Sequence, residues 1–254
     1  ELLWKLSERE VAVRYRGSAL GMLWSLITPL LMLAVYTFVF TTVFNARWGA
    51  PQEANSVDFA LNLFAGLIVF NVFAECATRA PTLILSNANL VKKVVFPLEI
   101  LSASTVASAL FHALTSTGIL ITFEVIAKHT LPISIAFLPF VWLPLALGCL
   151  ALSWLLSALG VFLRDLTQVM NVLVSMLMFL SAIFYPISAL PASWQPVLQL
   201  NPLVIVIEQS RKVMIDGVSP DTSYLLIGSI SMICIAELSL RLFMKAKRGL
   251  ADVL

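Results

Sequence analysis

The stretch PISALPASWQPVLQLNPLVIVIEQSRKVMIDG, residues 186–217, decides the fold, because it is apolar yet unable to cross a membrane as one helix. Pro186, Pro191, Pro196 and Pro202 interrupt any long helix. Asn201-Pro202 is a strong helix start and Gly217 a stop. A helix between them reaches about 20 Å, at ~1.5 Å per residue, against a bilayer core about 30 Å thick. Leu203–Ile207 is apolar, and Glu208, Arg211 and Lys212 lie one turn apart, within pairing reach. Two courses are open for it: an amphipathic helix on the outer surface, or a segment that enters the outer leaflet and returns. Non-helical backbone at that depth is tolerated only inside protein or beside water.

The surrounding sequence is a membrane protein's. Of 254 residues, 60% are hydrophobic and only 12% charged, with mean hydropathy +0.96. Apolar runs long enough to span fall at 22–44, 58–78, 101–126, 135–162, 169–185 and 221–243. With the chain starting inside, only Arg47, Lys128, Arg211 and Lys212 of the 16 basic residues lie outside. That bias puts both termini in the cytoplasm. A crossing by Val197–Ile207 would send Arg241, Lys245, Lys247 and Arg248 outward, against the bias. The expected fold is therefore all-α: six transmembrane helices, an N-terminal amphipathic interface helix, and a re-entrant outer hairpin before the last span.

Residues 1–20 form the interface helix. Leu2, Leu3, Leu6 and Val13 share its apolar side, Lys5, Arg9, Arg14 and Arg16 carry charge, and Trp4 and Tyr15 mark the boundary. Ser7-x-x-Glu10 fits a capping box, and Gly17-x-x-x-Gly21 fits a close helix contact. Inside the spans, Met32, Tyr36, Phe40 and Phe44 share one face of the first, and Asn171, Ser175, Met178, Ala182 and Tyr185 one face of the fifth. These stripes pack against lipid and helices, or line a pathway in which aromatic rings stack on sugars. Thr105, Ser108, His112, Thr115 and Ser116 make a small polar face in the third span, where His112 reads as structural. Glu75–Arg79 and Glu237–Arg241 are local i,i+4 pairs, and Glu124 reaches towards headgroups.

Several functions are disfavoured. No G-x-x-x-x-G-K-[ST], H-E-x-x-H or G-x-S-x-G occurs, so the chain has no phosphate-binding loop or hydrolytic motif of its own. It offers no catalytic, cofactor or metal residues, and no nucleic-acid patch. Cys76, Cys149 and Cys234 all lie in spans and do not form a disulfide framework. No intramembrane carboxylate cluster supports ion coupling.

Five segments bring a family into view: Arg14-Tyr15-Arg16-Gly17-Ser18-Ala19-Leu20-Gly21-Met22-Leu23-Trp24 with Pro29-Leu30, Val91-Lys92-Lys93-Val94-Val95-Phe96-Pro97, Phe162-Leu163-Arg164-Asp165-Leu166, Phe184-Tyr185-Pro186, and Leu200-Asn201-Pro202-Leu203. Together they resemble the ABC-2-type permeases of polysaccharide exporters, the O-antigen, capsule and teichoic acid export family. The resemblance implies a permease homodimer in a bacterial inner membrane, working with two copies of a separate ABC ATPase and moving a lipid-linked polysaccharide. It implies that 1–20 lies beside the cytoplasmic entrance gate, with Arg14, Tyr15, Arg16 and Trp24, and that 21–254 is the transmembrane domain. It also implies that 87–97 is the coupling helix seated in the ATPase, through Asn89, Leu90, Val91, Lys92, Lys93, Val94, Phe96 and Pro97. The outer gate would be 186–217, with Pro186, Trp194, Asn201 and Pro202. The glycan pathway would fall on Tyr36, Phe40, Phe44, Asn171, Ser175 and Tyr185. An ABC-2 permease for a small amphiphile or lipid, and an ion-coupled carrier, are the alternatives.

Overall fold

The computed structural model describes residues 2–43, 56–89, 96–129 and 132–253, without the side chains at 40, 41, 56, 248 and 250–253. Among them the chain is helical and without strands. In order come α1 (Leu2–Tyr15), α2 (Trp24–Thr37), α3 (Ser56–Arg79), α4 (Leu83–Ser86), α5 (Glu99–Lys128), α6 (Leu138–Phe162), α7 (Leu166–Leu180), α8 (Gln195–Gln199), α9 (Pro202–Met214) and α10 (Ser229–Val253). A wide helical turn, Phe38–Val43, prolongs α2, and another, Tyr224–Gly228, leads into α10. Four described helical stretches are long and apolar enough to cross a membrane: Val57–Ser86, Glu99–Lys128, Ile133–Phe162 and Tyr224–Lys247. Two shorter apolar stretches, Gly21–Thr37 and Leu166–Leu180, correspond to the expected first and fifth spans.

The centre is α3. It is apolar around its whole circumference, which is the pattern of a helix enclosed by others, and its run from Phe59 to Phe70 is buried throughout. Asp58 in its first turn and Arg79 in its last suit the helix dipole. Helices α2, α5, α6, α7 and α9 pack around it. Near the C-terminal end of α3, Gly160 of α6 meets the turn that follows, where an added Cβ would collide with the Pro81 carbonyl.

The deciding stretch folds as two short helices. Asn201 starts α9, its side-chain oxygen accepting from the Leu203 N–H at 3.0 Å, and Gly217 ends the segment at φ +70°. Only a narrow stripe of α9, through Pro202, Ile205, Glu208 and Lys212, keeps exposure; the rest is enclosed. Leu203, Val204, Val206, Ile207, Val213 and Met214 are buried, and so are Gln209, Ser210 and Arg211. Trp142 donates to Ser210 at 3.2 Å and Ser134 to the Val213 carbonyl at 2.7 Å. The expected Glu208–Arg211 pair forms at 2.9 Å, while Lys212 turns instead to Asp221 at 2.8 Å.

Arg211 carries more than that pair. It is 2% exposed and donates to the carbonyls of Asn62 (3.0 Å), Ala182 (3.0 Å) and Ile183 (2.9 Å) as well as to Glu208. Two of those carbonyls follow the end of α7, which stops at Leu180, short of the expected 169–185. The last carbonyls of a helix have no partner within it, and the chain that follows α7 supplies them. Tyr185 donates to Phe179 O at 2.9 Å, and Asn201 to Leu180 O at 3.3 Å.

Four sequence expectations are corrected. Ser7 is inside α1 and donates back to Leu3 O at 2.9 Å, so it caps nothing. Gly17 and Gly21 have φ of +84° and +50° with nothing near their missing Cβ atoms; they turn the chain between α1 and α2 and make no close helix contact. Glu124 is 1% exposed and does not reach headgroups. The fifth-span stripe holds only Asn171, Ser175 and Met178, because Ala182, at φ +51°, and Tyr185 lie beyond the helix.

Two substitutions test this frame. Gly66→Ala places a Cβ 2.9 Å from Arg211 Nη2, and Arg211→Met leaves three buried carbonyls without that donor. Each is expected to cost about 3 kcal/mol, read as a fall of about 10 °C in detergent thermal unfolding. Unchanged melting in both would show that the guanidinium is not holding α9 against α3 and the end of α7.

Candidate functional site

The N-terminal helix builds the most polar cavity described. Its protein-facing side is set by Glu10, Val11, Arg14 and Tyr15, while Leu2, Leu3, Trp4 and Val13 stay exposed on faces turned away from the protein. Leu2, Leu3 and Val13 are three of the four residues of the expected apolar side. Val11 is the buried anchor, and charge does the rest.

Arg14 donates to Glu75 at 2.7 Å; Arg79 donates to the same Glu75 oxygen at 3.0 Å and to Glu10 at 3.1 Å. Ser104 of α5 completes Glu10's shell at 2.8 Å. The local Glu75–Arg79 pair seen in the sequence thus exists, and it also forms the receptor for α1. Glu75 and Glu10 are 14% and 18% exposed, against 38% for Arg79 and 48% for Arg14. Exposed pairs contribute about 1 kcal/mol or less each; half-buried acids shared by two guanidiniums, as Glu75 is, are held more firmly. Formal charge over the four groups sums to zero.

Beside this network lies a cavity of about 460 Å³, lined by Arg14, Tyr15, Trp24, Asn71, Glu75, Arg79, His112 and Ser116 among others. Tyr15 Oη sits 3.3 Å from His112 Nδ1, with the rings edge to face at 5.8 Å. Burial pushes the Tyr15 hydroxyl's pKa up, with Arg14 opposing and Glu75 reinforcing, so it stays protonated at neutral pH and can donate to His112. The cavity thus offers guanidinium, hydroxyl, imidazole and indole groups around one space. Its chemistry is binding. Among the described residues no group of three or more His, Cys, Asp or Glu is placed to hold a metal.

The expected entrance residues are therefore partly assembled. Arg14, Tyr15 and Trp24 line the cavity; Arg16 is exposed in the turn and does not. Glu10, Arg79 and His112 were not assigned to it beforehand. The i,i+4 spacing of Glu75 and Arg79 was the available signal, but a local pair satisfies that spacing equally well.

Other expected residues lie elsewhere. Tyr36 is half-buried against the central cluster, Asn171 and Ser175 are exposed on α7, and Ser175 donates to Asn171 O at 2.9 Å. Phe44 and the Phe40 side chain lie outside the described residues, as do Leu90, Val91, Lys92, Lys93 and Val94. Of the same segment, Asn89 is exposed, Pro97 is half-buried, and Phe96 packs on a cluster holding Leu83, Ile84, Leu98, Leu101, Trp154 and Phe243. In the 186–217 segment, Pro186 and Asn201 are half-buried while Trp194 and Pro202 are exposed.

Comparison with known proteins adds the following. A family model described as ABC-2 type transporter matches residues 1–215. The chain is 26% identical over 255 residues to an O-antigen export system permease protein RfbA of Klebsiella pneumoniae, covering 100% of this chain and 95% of that one. It is 27% identical over 235 residues to an O-antigen export system permease protein RfbA of Myxococcus xanthus, covering 91% and 87%. It is 22% identical over 210 residues to the polysialic acid transport protein KpsM of Escherichia coli, covering 82% and 79%.

Removing the shared acceptor tests the docking of α1. Glu75→Gln is expected to speed amide hydrogen exchange across residues 2–15 at least tenfold, about 1.4 kcal/mol, with α3 itself unchanged. Equal exchange in both proteins would mean that Val11 packing alone holds the helix.

Proposed function

This chain belongs to the ABC-2 type transporter family, and from that membership we propose that it is the permease subunit of an ATP-driven exporter of lipid-linked polysaccharide. The substrate class is supported by relatives named for O-antigen export and polysialic acid transport. The observation that carries the site is the cavity under α1. It lies between the interface helix, α2, α3 and α5, where a substrate's polar head could be met by Arg14, Tyr15 and Trp24 beside the apolar chain environment.

The remaining parts follow from this reading. The chain acts as a homodimer in a bacterial inner membrane with both termini cytoplasmic. It has six spans, counting Gly21–Val43 and Leu166–Leu180. Two ATPase subunits bind at 87–97, whose Phe96 packs on the inner cluster. The polymer passes a wall that includes Tyr36, Phe40, Phe44, Asn171, Ser175 and Tyr185. It leaves under 186–217, the re-entrant outer gate, where Pro186, Trp194, Asn201 and Pro202 shape the turns. Nucleotide drives transport only insofar as its bound and free states favour different permease conformations. The chain performs no chemistry of its own.

A second reading has an observation behind it. An apolar groove of about 950 Å³ runs between Pro144–Leu155 of α6 and Tyr224–Ile235 along the last helix, and would suit a small amphiphile.

Purification from native membranes in mild detergent tests the assembly. An ATPase should be recovered in equal amount and be lost when Leu90, Val91 and Val94 become Asp. In a strain lacking the chain, surface polysaccharide should return with the wild type and fall at least fivefold with Tyr15→Ala or Trp24→Ala. Full polysaccharide with both variants would move the assignment to the amphiphile reading. A permease that always purifies alone would remove the ATPase.

A further inference from the structure

The last helix is the most peripheral of the long helices, yet it is fastened at both ends to regions with proposed roles. At its inner end Phe243 is fully buried in the cluster that also receives Phe96 and Leu98. One turn on, Lys247 Nζ donates to Glu99 Oε2 at 2.9 Å. Glu99 opens α5 directly after Phe96-Pro97-Leu98, and its backbone oxygen accepts from Trp154 Nε1 at 3.1 Å. The contact face runs through Ala236, Ser239, Phe243 and Lys247, a helical stripe against α6 and the inner cluster.

At its outer end, just before the helix begins, Asp221 faces α9. Its carboxylate accepts from Lys212 Nζ at 2.8 Å and from Gln209 Nε2, and its N–H donates to Gln209 Oε1 at 2.9 Å. Hydrogen bonding from Lys212, then from Gln209, holds that carboxyl's pKa below its ordinary value. Tyr224, in the wide turn, donates to Val141 O at 3.0 Å. Between Asp221 and Lys247 the chain is helical from Ser223 onward, about 40 Å at ~1.5 Å per residue.

We propose that this helix is the strut linking the cluster that holds Phe96 to the outer gate helix α9, with Lys247 and Asp221 as its positioning residues. The inference rests on reading 87–97 as the ATPase contact. A stiff helix pinned at both ends carries an axial or tilting displacement from one end to the other, where a loop would absorb it. Both terminal ion pairs are partly exposed, at 27% and 29% for Lys247–Glu99 and 36% and 55% for Lys212–Asp221. Such pairs contribute little to stability, so removing them disturbs the link while sparing the fold.

The test uses the permease–ATPase complex in lipid vesicles, in a Cys234→Ser background carrying Trp194→Cys as reporter. Cys76 and Cys149 are buried. The rate of labelling by a membrane-impermeant maleimide from the outer side is compared with and without vanadate-trapped nucleotide, alongside ATP hydrolysis. In the background protein the rate is expected to change at least fivefold. Lys247→Ala, Glu99→Ala and Asp221→Asn should each reduce that change below twofold, with hydrolysis kept within twofold. Lys247→Arg, and the exchanged pair Glu99→Lys with Lys247→Glu, should restore it. Lys247→Ala combined with Asp221→Asn should be no worse than either alone, as two contacts in one linkage require.

A fivefold change that survives all three single variants overturns the strut alone. A background protein that hydrolyses ATP while position 194 ignores nucleotide overturns the coupling and gate readings, and the strut with them.

Discussion

The arrangement around α7 and α9 depends on one buried guanidinium. A helix that stops among apolar neighbours leaves its final carbonyls without partners, and a membrane interior has no water to supply them. α7 stops in this way at Leu180. Tyr185 and Asn201 serve Phe179 and Leu180, and Arg211 reaches from α9 to Ala182 and Ile183 while also holding Asn62 of α3. Arginine suits the position because its planar head carries several donors in fixed directions. Glu208 offsets its charge, and Gly66 leaves it room. Burying an ion is costly unless every group is paired. The end of α7, the position of α9 and the small residue on α3 are therefore one linked set.

The docking of α1 is organised by charge of a different kind. Glu75 receives two guanidiniums, one from its own helix and one from α1, and Glu10 returns the contact to Arg79. The two acids are mostly enclosed while the guanidiniums stay more exposed, so the helix is held by a shared charge network at the protein's rim. The α7–α9 contact rests on one buried cation; the α1 contact rests on shared, partly exposed ones.

Much of the candidate site was legible, for identifiable reasons. Arg14, Tyr15 and Trp24 were singled out by the motif segments that carry the family resemblance, and all three line the cavity. Glu75 and Arg79 were visible as a pair, but i,i+4 spacing is satisfied locally, so nothing in it says that a second helix will join. His112 read as a structural residue bonded to hydroxyls, and Tyr15 lies at that distance. The capping box at Ser7 misled because the residue pattern recurs inside helices, where serine bonds back to the preceding turn. The aromatic stripe of the first span was read at regular spacing, and the wide turn at Phe38–Val43 interrupts that register.

By itself the sequence determined the class of protein, the apolar runs and the borders of α9. Those follow from local facts: a hydrocarbon layer demands long apolar helices, proline removes an N–H, and Asn201 and Gly217 act on their own backbone. Tertiary structure decided which partners the charges took. Arg211 was read only as within pairing reach of Glu208 and became the clamp between α9, α3 and the end of α7; Lys212 left its helix for Asp221; Glu124 was enclosed where exposure was expected. A buried charge is tolerated only where donors and acceptors from distant segments converge, and that convergence exists only once the helices have packed.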